Sequence, residues 1–167
     1  MTLRGTILLA DNVYRTVEGK FIICGTYNRV MTQLDAFAPT FGLFLYVRIL
    51  VERGGPYQAR LVISDETADP RTPVHVLRQE FDVVVRPEEV PVHEGVLRMD
   101  GLSLRCPVPA AQRVPGVVHQ MRCCVRFFFK EPADRDFSHI GECPLTISFT
   151  APGGPTGTAP GAGGPVA

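Results

Sequence analysis

The sequence predicts an all-β fold: a two-sheet antiparallel β-sandwich of about eight strands, followed by a disordered Gly/Pro-rich tail. Three observations predict it. Nearly every apolar run alternates in period two, the spacing at which strand side chains share a face. No apolar run sustains a helical period. Polar, Pro/Gly-punctuated loops separate the runs at short intervals, as in two packed antiparallel sheets.

The elements follow in order. Leu3–Ala10 is the first strand, and Asp11–Gly19 is a loop ending in a Glu18-Gly19 turn signal. Lys20–Val30 is the second strand. The third, Phe41–Glu52, has the clearest pattern, with Phe41, Leu43, Leu45, Val47, Ile49 and Val51 on one face. Arg53-Gly54-Gly55-Pro56 reads as a hairpin turn. The fourth strand, Tyr57–Ser64, answers it with Tyr57, Ala59, Leu61 and Ile63 inward. The fifth, Val74–Val85, directs His75, Leu77, Phe81, Val83 and Val85 inward, interrupted by Gln79. Val96–Cys106 is the sixth. Val118–Lys130 is the seventh, with Met121, Cys123, Val125, Phe127 and Phe129 on its apolar face. Ile140–Phe149 is the eighth, with Leu145, Ile147 and Phe149 facing in. Residues 150–167 carry no charge and no large side chain except Val166. They have too little apolar surface to offset their ordering entropy, so the domain is expected to span 1–149 and the tail 150–167.

Composition excludes several classes. The chain has 167 residues, a one-domain length, and 45% of them are hydrophobic, enough for a real core. Lysine plus arginine equals aspartate plus glutamate at 17 each. That balance speaks against nucleic acid as a partner and against a polybasic membrane anchor. No stretch approaches the roughly 20 apolar residues of a membrane span. Ile7–Ala10 is too short for a signal-peptide core and meets Asp11 at once. Five cysteines, an odd number, fit buried thiols in a reducing compartment, so a cytoplasmic location is expected.

Leu8-Leu9-Ala10-Asp11 is followed across a loop by Gly19-Lys20-Phe21-Ile22-Ile23-Cys24-Gly25. Farther on, Pro115-Gly116 leads into a long strand, and Ile140-Gly141-Glu142-Cys143-Pro144-Leu145-Thr146-Ile147 closes the domain. In these two regions the chain resembles an uncharacterised family of short bacterial all-β proteins, a domain of unknown function. The resemblance spans most of residues 3–149. The family usually has an aromatic soon after the Pro-Gly; here Val117 and Val118 stand instead. The resemblance implies a β-sandwich in an intracellular bacterial protein, and no activity.

No catalytic, metal or cofactor constellation emerges. Cys123 and Cys124 are adjacent in a strand and so point to opposite faces, and no C-x-x-C pair opens a zinc site. Cys24, Cys123 and Cys143 read as small core hydrophobes. His75, His93, His119 and His139 match no metal spacing. Gly54-Gly55 opens no helix and is no phosphate cradle. Asp65, Glu66 and Asp69 form a small acidic loop that reads first as solvated, and as an ion site in the alternative. Asp11-Asn12 reads as an Asx-type turn.

One feature stands out. Phe44, Tyr46 and Leu50 point away from the core on the third strand, and Val62 does so on the fourth. If those strands form a hairpin, the four side chains make one apolar patch, and such patches mark binding surfaces. The competing reading has the Gln33–Thr40 connection folded over that face. The expected function is therefore non-enzymatic, through binding a protein partner or forming a homo-oligomer. The alternatives are a small enzyme with a Cys/His site in a loop cleft, using Cys106 with His119 or His93, and an ion- or ligand-binding module.

Overall fold

The computed structural model describes residues 3–26, 28–33, 40–104 and 106–150. The Gly/Pro-rich tail beyond Thr150 and most of the Gln33–Thr40 connection lie outside these residues. Nine strands run in chain order: β1 (Arg4–Arg15), β2 (Phe21–Thr26), β3 (Arg29–Gln33), β4 (Thr40–Leu50), β5 (Gly55–Asp65), β6 (Val74–Val85), β7 (Val92–Ser103), β8 (Val118–Lys130) and β9 (Ser138–Thr150). They form a four-stranded sheet in the order β2-β1-β4-β7 and a five-stranded sheet in the order β3-β9-β8-β5-β6. All pairs are antiparallel except β3 with β9.

The alternating faces meet in one core. β4 contributes Leu43, Leu45, Val47 and Ile49, and β8 contributes Met121, Cys123, Val125, Phe127 and Phe129, all buried. β5 adds Tyr57, Ala59, Leu61 and Ile63, and β9 adds Leu145, Ile147 and Phe149. Tyr57 stacks on Phe129 with centroids 4.8 Å apart, and Phe81 leans on Phe127 at 6.3 Å. Apart from His75, these are the inward rows that the sequence pattern selects.

The sheets come closest where β1 crosses β9. Gly5 pairs with Ile49 and faces the other sheet. A Cβ there would fall 2.6 Å from Cγ2 of Ile140 and into the Arg48 carbonyl. Only glycine allows this approach.

Four expectations change. First, Arg53–Pro56 does not turn a hairpin. β4 and β5 belong to different sheets, so the link crosses the sandwich. A Cβ on Gly54 would stand 3.0 Å from the backbone nitrogen of Pro87 and 3.2 Å from the Val85 carbonyl. The crossing therefore lies against the neighbouring crossing from β6 to β7, and glycine makes room for it. Second, the second strand breaks in two. Gly25, with φ +62°, lies under the Asp11 side chain, and the chain leaves one sheet as β2 and joins the other as β3. Third, β1 continues through Asp11–Arg15, so the Asx contact from Asn12 to the Val13 N–H (2.9 Å) sits within a strand. Fourth, the β5–β6 register shifts between Ile63 and Ser64. His75 then pairs with Ser64 and is exposed, with its Nδ1 3.2 Å from Oγ of Ser64.

The free edges carry exposed apolar side chains, Ile22 on β2, Met31 on β3 and Val74 and Val84 on β6, but offset them by length and charge. β2 and β3 have six and five residues. Edge strand β6 presents Arg78, Glu80 and Asp82 to solvent. Short or charged edges discourage pairing with other chains.

Adjacent phenylalanines test this register. Phe127 is buried in the core, while Phe128 is half-buried beside His139, with ring centroids 5.3 Å apart. Phe127→Ala is expected to cost about 3–5 kcal/mol in denaturant titration. Phe128→Ala is expected to cost about 1 kcal/mol. Equal losses would mean that the faces of β8 are assigned wrongly.

Candidate functional site

Outward positions of β1, β4 and β7 build the outer face of the four-stranded sheet in cross-strand rows. Leu8, Tyr46 and Val96 form one row, and Arg4, Leu50 and Val92 another. Between them lies Thr6, Arg48 and Glu94; beyond them lies Ala10, Phe44 and Arg98. Leu8 is 37% exposed and Leu50 50%. Phe44, Val92 and Val96 are half-buried. Two ion pairs lie on this face, and Arg4 is exposed at its end. Arg48 lies 3.7 Å from Glu94, and Arg98 lies 2.8 Å from Asp100 while its guanidinium covers the Phe44 ring at 5.7 Å. The result is two apolar patches, Leu8, Phe44, Tyr46 and Val96 on one side and Leu50 and Val92 on the other, separated by the Arg48–Glu94 ion pair.

Tyr46 is the fixed point of the first patch. Its hydroxyl donates to Oε1 of Glu94, and the Phe21 ring packs edge-on against it at 5.7 Å. Only 7% of Tyr46 is exposed. Burial, reinforced by the Glu94 carboxylate, pushes its pKa up to about 12. Tyr46 thus anchors the surface from beneath, and Leu8 and Leu50 present it.

Val62 does not join this surface. It lies on the outer face of the opposite sheet, paired with Arg78 and Arg126, and is 7% exposed. The expected four-residue patch therefore divides into Phe44, Tyr46 and Leu50 on one side of the sandwich and Val62 on the other. The cause is the crossing at Gly54-Gly55, which had been read as a hairpin. Sequence reasoning also missed Leu8, Val92 and Val96, because their juxtaposition with β4 depends on which strands pair.

The outer face of the five-stranded sheet is a different surface. Glu80 Oε1 accepts from Arg60 Nε at 2.8 Å and from Arg78 at 3.1 Å. Arg126 joins Glu66 to Glu142, the latter at 3.1 Å. Phe137 lies under the Arg60 guanidinium at 3.8 Å and the Lys130 ammonium at 5.0 Å. This lattice surrounds Val62 with charged groups and leaves no apolar patch there.

The remaining candidates fall apart on geometry. Cys106 and His119 are half-buried, and among the described residues no hydrogen bond joins Cys106 to His93 or His119. Nε2 of His119 is buried without a partner, and Nδ1 of His93 lies 2.8 Å from Glu89. The acidic loop spends its oxygens locally. Asp65 accepts from the Thr67 N–H and Asp69 from the Arg71 N–H, both at 2.8 Å, while Glu66 holds Arg126. Among the described residues, no three His, Cys, Asp or Glu side chains converge as metal ligands would. Among them, too, no helix is long and apolar enough to cross a membrane.

No protein-family model matches the chain, and no curated protein matches it. The solved structure of the CooA pilin subunit from enterotoxigenic Escherichia coli is similar at a TM-score of 0.30 and 13% identity, covering 89% of this chain and 99% of that one. A TM-score that low carries no argument about role.

The thiols are disarmed by burial, which pushes Cys123 up to about 12 and Cys124 and Cys143 to about 11. Since the thiolate is the reactive form, brief iodoacetamide treatment of the native protein at pH 8 is expected to spare all three. Mass spectrometry after digestion reads the label. Prompt alkylation of Cys124 at the rate of a free thiol would contradict this.

Proposed function

We propose that this protein acts by self-association through the outer face of the four-stranded sheet. The observation that carries the reading is the pair of apolar patches on this face, exposed Leu8 with half-buried Phe44 and Val96, and exposed Leu50 with half-buried Val92, on either side of Arg48 and Glu94. Apolar side chains grouped on a sheet face are unfavourable in water and mark interaction surfaces. A second copy of the chain is the occupant this charge arrangement allows. Arg48 with Glu94 and Arg98 with Asp100 cancel locally, which leaves Arg4, at the end of the face, as its one charge without a counter-charge among the described residues. A two-fold interface uses the same patch on both partners.

Sedimentation velocity over a range of concentrations tests the reading. The wild-type protein is expected to shift from monomer to dimer as concentration rises. Leu50→Glu is expected to remain a monomer while keeping its far-ultraviolet spectrum, because its side chain is half exposed and solvates the new charge. Val62→Thr, on the opposite sheet, is expected to dimerise like the wild type. A wild-type protein that stays monomeric throughout, or a Leu50→Glu variant that still dimerises, overturns the proposal.

A further inference from the structure

A second surface of β7 looks the other way. Its inward positions His93, Gly95 and Leu97 pair with Ile49, Val47 and Leu45, whose side chains form the core. β7 is the edge of one sheet and β6 the edge of the other. Between these edges lies a half-open slot of about 250 Å³, lined by Phe81, Asp82, His93, Gly95 and Leu97 above the core residues Val47, Ile49, Phe127 and Phe129. Its floor is the buried core itself: Val47, Ile49, Phe127 and Phe129 are each no more than 3% exposed. Gly95 leaves the slot open on the β7 side. A Cβ at Gly95 would meet nothing nearer than Nε2 of His93, at 3.7 Å.

That nitrogen makes the slot more than a packing defect. The His93 side chain is only 13% exposed. Its Nδ1 lies 2.8 Å from Oε2 of Glu89, which also accepts the Arg86 backbone N–H at 3.1 Å. Burial opposes ionisation of Glu89, but the Arg86 N–H and the His93 ring outweigh it and hold the carboxyl below its usual range. An ionised carboxylate only accepts hydrogen bonds, so Nδ1 is the donor. In the neutral ring, Nε2 then carries a lone pair. It has no protein partner and stands beside the vacant Cβ position of Gly95. Glu89 thereby fixes the orientation and, in the neutral ring, the tautomer of an acceptor in a mainly apolar slot with Asp82 at its exposed rim.

We propose that the slot between β6 and β7 binds a small apolar molecule bearing one hydroxyl, its hydrocarbon against Phe81 and Leu97 and its O–H donating to Nε2 of His93. Size, lining and acceptor argue together for this class. An apolar cavity of roughly 150 Å³ already takes a benzene ring, and one correctly placed polar group in an apolar pocket sets orientation and specificity. This site is independent of the outer-face association, since it uses the opposite side of β7.

Phenol, toluene and benzoate are the probes: similar in size, with a hydroxyl, no polar group and a charge. Binding is read from the ring signals of ¹³C-phenylalanine in NMR titrations. Phenol and toluene are both expected to shift Phe81 saturably, and benzoate is expected not to bind. His93→Leu is expected to weaken phenol roughly 5–10-fold, the size of one lost neutral hydrogen bond, and to leave toluene within twofold. Gly95→Val fills the slot and is expected to abolish both. Gly95→Ala, whose methyl group has room, guards against misfolding of the valine variant and is expected to weaken both probes. The proposal is overturned if neither phenol nor toluene saturates, if His93→Leu weakens both equally, if the glycine variants fold but bind unchanged, or if benzoate binds more tightly than phenol.

Discussion

Everything in this molecule depends on the face-to-face burial of two alternating rows, Leu43–Ile49 on β4 and Met121–Phe129 on β8. These rows are central in their respective sheets and nearly devoid of solvent exposure. Their period of two commits every second residue to the core, and so every other one to an outer face. The outer surfaces are consequences of that commitment. Phe44, Tyr46 and Leu50 face outward because Leu43, Leu45, Val47 and Ile49 must face inward. Hydrophobic burial acts without direction; the pleat supplies the direction.

The two outer faces then diverge by composition. On the five-stranded sheet, arginines and glutamates on neighbouring strands form the Arg60–Glu80–Arg78 and Glu66–Arg126–Glu142 groups. Such exposed pairs add little stability each, but they keep water and charge around Val62. On the four-stranded sheet the corresponding positions are Leu8, Phe44, Tyr46, Leu50, Val92 and Val96, with only two ion pairs among them. The sandwich thus has one charged outer face and one more apolar outer face. On the other side of the more apolar face, at the open edge of the same sheet, Gly95 and His93 line a half-open slot above the core.

The sandwich and its inner rows were legible because they are properties of single strands. The apolar row of β8 reads directly from Met121, Cys123, Val125, Phe127 and Phe129, and all five are buried. Pairing was not legible, because it is a property of strands far apart in sequence. Gly54-Gly55-Pro56 carries the same local signal whether it turns back within a sheet or crosses to the other; the neighbouring crossing at Val85–Pro87 decides. That single difference moved Val62 to the far side. The bulge that turns His75 outward, and the departure of the chain at Gly25 into a second sheet, likewise arise from contacts across strands. The His93–Glu89 pair was invisible for a further reason: in sequence, Glu89 looks like one of two solvated loop carboxylates.

The claim that the outer face of the four-stranded sheet is where copies of this protein meet is most directly tested by amide chemical shifts followed as concentration rises. The account predicts progressive shifts at Leu8, at Phe44 to Leu50 and at Val92 to Arg98, with Val62, Cys124 and Arg126 unmoved. Shifts confined to the five-stranded face, or to the free edges at β2, β3 and β6, would contradict it.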